Sequence, residues 1–182
     1  MDLSLLTSRL KSDFPVHLEK SVEAHPQTAA VLVLLYRRHG RPHVLLIKRA
    51  AGLPAHAGEI AFPGGVFQEE DETLLNTALR ETQEEVGLEL DPTALFGRLP
   101  TVQTLTEFQV SPFVAWLDDL PPLKANPEEV EAIIEAPLVP LLATQQRDVG
   151  YRRDMDMWVY LHGPHRVWGA TARILHQLAG LV

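Results

Sequence analysis

The chain contains no cysteine, which excludes disulfide bonds, thiolate metal ligands and a cysteine nucleophile. Long apolar runs are also missing. The longest uninterrupted one, residues 29–36, is far shorter than the roughly 20 residues that a membrane-spanning helix needs. No basic flank precedes an apolar stretch near Met1, as it would in a secretory signal. We therefore expect a soluble, cytoplasmic protein without a membrane partner.

Positive charge is scarce in one segment. The chain carries 24 acidic and 16 basic residues, for a net charge of −8. Residues 69–91 hold nine acids and one base, Arg80, so this segment accounts for the whole excess. Phosphate contacts need clustered Lys and Arg, so the charge balance excludes a general nucleic-acid binder. The acidic segment instead predicts a cationic ligand.

Apolar residues are plentiful, at 46% of 182 residues, and they allow a packed core. Predicted strands and helices interleave, which favours one α/β or α+β domain over residues 1–182, with its core at about 29–178. A short amphipathic helix is expected at about 2–12, since Leu3, Leu6 and Leu10 recur at helical spacing. Oligomeric state is left open.

Strand patterns begin with residues 29–37 and 43–48, which predict a hairpin. A loop follows at 50–58, then a short strand at 60–62 and a sharp turn at 63–65. Later strands are predicted at 110–117 and 157–161, a linker-like stretch at 118–127, and a closing helix at 171–178. Residues 130–135 fit a strand or a helix, and a brief helical turn followed by a strand is the favoured interpretation.

The clearest helix is predicted over residues 72–86, with Leu75 and Ala78 on one apolar face. Asp71 can cap its start, and Gly87 can end it in a left-handed conformation.

Three glutamates, Glu81, Glu84 and Glu85, point to one side of this helix, at relative angles of 0°, about −60° and about +40°. Like charges at these spacings destabilise a helix by roughly 0.2 to 0.5 kcal/mol each, and a hard divalent cation would reverse that effect. The alternative is a solvated acidic face. Arg80 follows Glu72 by eight residues and precedes Glu84 by four, so it can brace that face in either case.

Gly64-Gly65, Glu72 and the run Arg80-Glu81-Thr82-Gln83-Glu84-Glu85-Val86-Gly87-Leu88 resemble the Nudix box, a glycine loop that leads into a glutamate-rich helix. The runs at 45–49 and 56–65 are similar to the coenzyme A pyrophosphatase branch of that family. The resemblance implies a Nudix-like α/β/α sandwich with a mixed β-sheet. It also implies metal-dependent hydrolysis of coenzyme A to 3′,5′-ADP and 4′-phosphopantetheine, with acyl-coenzyme A left open.

The resemblance also implies Mg²⁺ or Mn²⁺ as cofactor, and it carries residue roles. The implied metal ligands are Glu81, Glu84 and Glu85, of which Glu84 and Glu85 are also catalytic, although no single general base can be assigned. Substrate contacts fall to Arg49, His56, Gly64 and Gly65, and Glu72 and Arg80 brace the box. His56 could instead be an ordinary surface residue, and Arg49 could simply pair with an acid.

Substrate choice keeps two alternatives. The branch usually has Ser, Arg and Lys where this chain has Ala50, Pro54 and Ala55. A broader nucleoside-diphosphate hydrolase, such as an ADP-ribose pyrophosphatase, therefore remains open, as does a binding module without catalysis. A further metal ligand from a distant loop is expected, and the sequence does not choose among its candidates, which are Glu107, Glu128, Glu129 and Glu131.

Overall fold

The computed structural model describes residues 3–13, 15, 27–148 and 157–181. These residues form four helices, α1 (Leu3–Asp13), α2 (Leu74–Val86), α3 (Leu138–Ala143) and α4 (Gly169–Ala179). The first strands are β1 (Thr28–Arg38), β2 (Arg41–Arg49), β3 (Ile60–Ala61), β4 (Gly64–Val66), β5 (Leu95–Arg98) and β6 (Val102–Gln103). The others are β7 (Gln109–Leu117), β8 (Val130–Pro137), β9 (Gln146–Arg147), β10 (Trp158–His162) and β11 (His165–Val167).

Strand β1 is the centre of the main sheet. It runs parallel to β7 along one edge, and along the other it pairs antiparallel with β4 and then with β2. Strand β8 lies antiparallel on the far side of β2. The sheet is therefore mixed, as expected.

The alternating side chains of β1 pack into two buried clusters, one on each face of the sheet. Leu32 and Leu34 belong to a buried cluster with Leu75 and Ala78 of α2. Val33 and Leu35, one residue out of phase, belong to the opposite cluster, which holds buried residues of α1, α3 and α4. Successive strand side chains point to opposite faces, so helices cover both. The predicted α/β/α sandwich is confirmed.

Most predicted elements are found within a residue or two of their expected ends, including the hairpin, the strands at 110–117 and 157–161, and the closing helix. The turn expected at 63–65 is partly wrong, because Gly64 and Gly65 lie in β4 and pair with β1. The expected cap is also wrong. Thr73 caps α2 by accepting a hydrogen bond from the Asn76 N–H at 3.1 Å, whereas Asp71 ends a short 3₁₀ helix.

The stretch at 118–127 lies against the sheet. Leu120 and Leu123 pack against the cluster around α2, and the N–H groups of Lys124 and Asn126 donate to the last carbonyls of that helix. A turn then leads into β8, as favoured. Within the described ranges, no helix has both the length and the apolar character to cross a bilayer.

Candidate active site

Helix α2 presents the glutamates to β4. Its apolar face packs on the sheet, and it ends at Gly87, whose φ of 69° is left-handed, as predicted. Glu85 is 1% exposed even though it carries a carboxylate. One of its oxygens accepts a hydrogen bond from the Gly64 N–H at 2.9 Å. The last turns of the helix are thus fixed against the glycine strand.

The two glycines provide the space that this packing needs. Gly64 has a φ of 152°, and a methyl group there would lie 2.3 Å from the Ala30 carbonyl oxygen. At Gly65 a methyl group would lie 2.4 Å from the carboxyl carbon of Glu81. Gly64 therefore allows the strand to form, whereas Gly65 makes room for the Glu81 carboxylate.

Three carboxylates come together at this point. Glu81, Glu85 and Glu129 each offer an oxygen, and these oxygens lie within 4.8 Å of one another. No other group of three metal-ligating side chains is as close in the described part of the chain. Glu129 comes from the turn before β8, and its carbonyl accepts a hydrogen bond from the Ala50 N–H at 2.9 Å. Of the four loop candidates, Glu129 is therefore the one that lies beside Glu81 and Glu85.

The pKa values report how unfavourable this arrangement is without a cation. Burial, together with the charges of Glu81 and Glu129, raises the pKa of Glu85 to about 8. The Gly64 N–H and the Arg49 guanidinium oppose these effects. Burial likewise raises the pKa of Glu81. Three converging carboxylates, one buried and two partly buried, are the oxygen ligands that a hard divalent cation prefers, so the residues present fit Mg²⁺ or Mn²⁺.

Arg80 braces the acidic residues from one side. Its Nε and Nη2 contact both oxygens of Asp71, at 2.6 and 3.1 Å, and its Nη1 lies 2.9 Å from Glu81 and 3.0 Å from Glu84. Burial of Asp71 opposes ionisation, but hydrogen bonds led by that from Arg80 lower the pKa of this carboxyl below its usual range. Within the described ranges Arg80 makes no ion pair with Glu72, which is exposed.

Glu84 lies apart from the three grouped carboxylates. Its side chain is 50% exposed, and its carboxylate faces Arg80. It is therefore placed to meet solvent or a ligand at the edge of the site, whereas Glu81 and Glu85 are directed inward.

Arg49 faces the site and His56 faces solvent. The Nη1 atom of Arg49 lies 3.8 Å from Glu85, and its Nε is buried without a hydrogen-bond partner among the described residues. His56 is 57% exposed, and its Nδ1 lies 3.1 Å from Glu59 in the loop that follows β2. The structure thus brings Arg49 into the site, while His56 stays on the loop surface.

Two site residues were not selected by sequence reasoning. Asp71 was assigned as a helix cap, but it is the main partner of Arg80. Glu129 was one of four candidates, and two long-range contacts bring it near α2: β8 pairs with β2, and the Asn126 N–H donates to the Glu85 carbonyl. The Asn-Pro turn before it is a local signal that marks where such a loop residue can be held in place.

The comparisons with known proteins agree with this geometry. A NUDIX domain family model matches residues 26–159. The chain is 39% identical over 189 residues to a protein of Salmonella dublin named uncharacterized Nudix hydrolase NudL, covering 98% of this chain and 96% of that one.

Solved structures share the fold at lower identity. A MutT/nudix family protein of Enterococcus faecalis has a TM-score of 0.62 at 18% identity, over 98% of this chain and 68% of that one. The NUDIX domain of Shewanella oneidensis NrtR, crystallised with ADP ribose, has a TM-score of 0.54 at 21% identity, over 70% and 82% of the two chains.

Proposed function

Because the chain belongs to the Nudix hydrolase family, whose members act on phosphoanhydride bonds, we propose that its substrate is coenzyme A and its products are 3′,5′-ADP and 4′-phosphopantetheine. Water adds to one phosphorus of the diphosphate, the bond from that phosphorus to the bridging oxygen breaks, and each product leaves with a terminal phosphate. The observation that carries the hydrolytic chemistry is the group of Glu81, Glu85 and Glu129, in which Glu85 is buried and the other two are partly buried.

Those three carboxylates would hold the divalent ion. When bound, Mg²⁺ or Mn²⁺ polarises phosphoryl oxygens, balances developing charge and lowers the pKa of an attacking water. The Gly64 N–H holds Glu85 in place, and Arg80 holds Glu81. The ligand set proposed from the sequence was Glu81, Glu84 and Glu85; the grouping within 4.8 Å supports Glu129 in the third position.

Other residues take roles around this centre. Glu84 is half-exposed, and we assign it to orienting the attacking water from its position on Arg80. Arg49 would contact a phosphate, since its buried Nε needs an acceptor. Gly64 and Gly65 form the strand surface beside the reacting diphosphate. For His56 we retain a phosphate contact as a prediction, made from an exposed position that requires the loop to approach the ligand.

The preference for coenzyme A is supported by the runs at 45–49 and 56–65, which resemble the coenzyme A branch. The absence of basic side chains at Ala50, Pro54 and Ala55 favours the second candidate, a broader hydrolase of nucleoside diphosphates.

Two further expectations stay predictions: that residues 1–182 form one domain, and that the protein is cytoplasmic.

A substrate panel separates the candidates. The full chain would be incubated with coenzyme A, ADP-ribose, NADH and diadenosine polyphosphates, with and without Mn²⁺, and products would be identified by mass spectrometry. We expect metal-dependent cleavage with coenzyme A as the best substrate. ADP-ribose as the best substrate would move the protein to the broader class, and tight nucleotide binding without product would indicate a binding module.

A further inference from the structure

Asn126 lies at the junction between α2 and the turn that carries Glu129. Its N–H donates to the carbonyl of Glu85 at 2.9 Å. Its own carbonyl accepts from the N–H groups of Glu129 and Val130, at 3.1 and 2.7 Å. The backbone of this one residue therefore connects the residue that supplies one inner carboxylate with the residue that supplies another.

The side chain of Asn126 repeats this link. Its Oδ1 accepts from the Glu128 N–H at 3.2 Å and so closes an Asx turn over Pro127. Its Nδ2 reaches Glu129 Oε1 at 3.4 Å. The amide uses its acceptor for the turn and its donor for the carboxylate. Asp has the same size as Asn but lacks the N–H donor, and Ser can accept in the turn but is too short to reach Glu129.

We infer that Asn126 is a positioning residue for the metal centre, which holds the carboxylate of Glu129 in register with Glu85. This inference rests on the proposed function, because it assigns a role toward the divalent ion. Partners that orient metal ligands typically change metal affinity 10- to 100-fold when they are lost. The effect of Asn126 should therefore appear in metal binding and not only in stability.

The chain contains a matched control for this turn. Asp91 precedes Pro92 as Asn126 precedes Pro127, and its Oδ1 accepts from the Thr93 N–H at 2.8 Å. Its carbonyl accepts from the Ala94 N–H at 2.9 Å, as the Asn126 carbonyl accepts from the Glu129 N–H. Asp91 lies after α2, outside the group of Glu81, Glu85 and Glu129. Asp91→Ala therefore removes a turn of the same kind without touching the candidate metal ligands.

The experiment measures Mn²⁺ affinity of the full chain by titration calorimetry, together with thermal unfolding. Asn126→Ala should raise the Mn²⁺ dissociation constant roughly tenfold, while Asp91→Ala should leave it unchanged even where both lower the unfolding temperature. Asn126→Ser can still close the turn but cannot reach Glu129, and it should show the same loss of affinity.

Two results would overturn the inference and show that Asn126 has only a structural role. One is an unchanged Mn²⁺ affinity in Asn126→Ser, and the other is an equal change in the Mn²⁺ dissociation constant in Asn126→Ala and Asp91→Ala. Failure of Asn126→Ala to fold leaves the serine variant to decide. A wild-type protein that binds no Mn²⁺ would contradict the proposed function itself, and this inference with it.

Discussion

Adding one methyl group at each of the two glycines of β4 should produce opposite phenotypes. In Gly65→Ala the new methyl would lie 2.4 Å from the Glu81 carboxyl carbon and 2.5 and 2.6 Å from its oxygens. Ordinary contact begins at 3.4 Å, so the carboxylate must retreat by about 1 Å. A displacement of that size in a group that holds the metal ion should lower the rate roughly 100-fold. The atoms that move are the end of a flexible side chain, so the free energy of unfolding should change by only about 1 kcal/mol.

Gly64→Ala meets backbone instead. Its methyl would lie 2.3 Å from the Ala30 carbonyl oxygen and 2.6 Å from the Val31 Cα, at a φ of 152° that side chains rarely adopt. Neither contact can be relieved by a rotamer change. We expect a loss of about 3 to 5 kcal/mol in the free energy of unfolding, from overpacking and backbone strain together.

The assay pairs Mn²⁺-dependent turnover of the best substrate with urea unfolding, for both variants and for Gly180→Ala. Gly180 follows α4, and a methyl group there would make an ordinary contact at 3.4 Å with the Gln177 carbonyl, so this control should change neither readout. Full turnover in Gly65→Ala, or a strongly destabilised Gly65→Ala with normal turnover per folded molecule, would refute the claim that this glycine makes room for a working carboxylate.

Three further predictions concern the charged residues. Without metal, the free energy of unfolding should fall as pH rises from about 4.5 to about 8, by up to about 1.4 kcal/mol per pH unit, because folded Glu85 keeps a proton that the unfolded chain has lost. The variant Glu85→Gln should flatten this pH profile and abolish most turnover. The same slope in the variant would contradict the raised pKa of Glu85. Glu129→Gln should weaken Mn²⁺ binding in calorimetry roughly tenfold, whereas the same change at the exposed neighbour, Glu128→Gln, should leave Mn²⁺ binding unchanged. Equal effects of the two variants would show that Glu129 is not a metal ligand. Arg80→Ala should cost about 2 to 3 kcal/mol in chemical unfolding, since it leaves the buried Asp71 carboxylate without its cation; a change under about 0.5 kcal/mol would show that this pair does not brace the fold.

Long-range contacts mark the limit of the sequence prediction. Spacing at 100° per residue was enough to place Glu81 and Glu85 on one side of a helix, and this held because the apolar face of α2 fixes its rotation. The same spacing also grouped Glu84 with them. Its carboxylate faces Arg80 instead, because a salt bridge at i,i+4 competes with the inner group, and local angles cannot weigh that competition.

Some short elements were not predicted from the sequence, for a different reason. Helix α3 begins Leu138-Val139-Pro140, where a proline in an apolar run predicts a break. Proline is tolerated in a first helical turn because the N–H groups there have no partner within the helix. The glycine pair was expected to turn for a similar reason, since two glycines permit a turn locally, whereas here they serve close approach to β1 and to Glu81. Only the assembled sheet distinguishes these uses.

The most direct test of the account is anomalous diffraction from crystals soaked in Mn²⁺. We predict one or more strong anomalous peaks beside the backbone of Gly64 and Gly65. Each peak should mark a Mn²⁺ ion about 2.1 Å from carboxylate oxygens of Glu81, Glu85 and Glu129. Fully occupied Mn²⁺ elsewhere, with these three side chains bound to nothing but solvent, would contradict it.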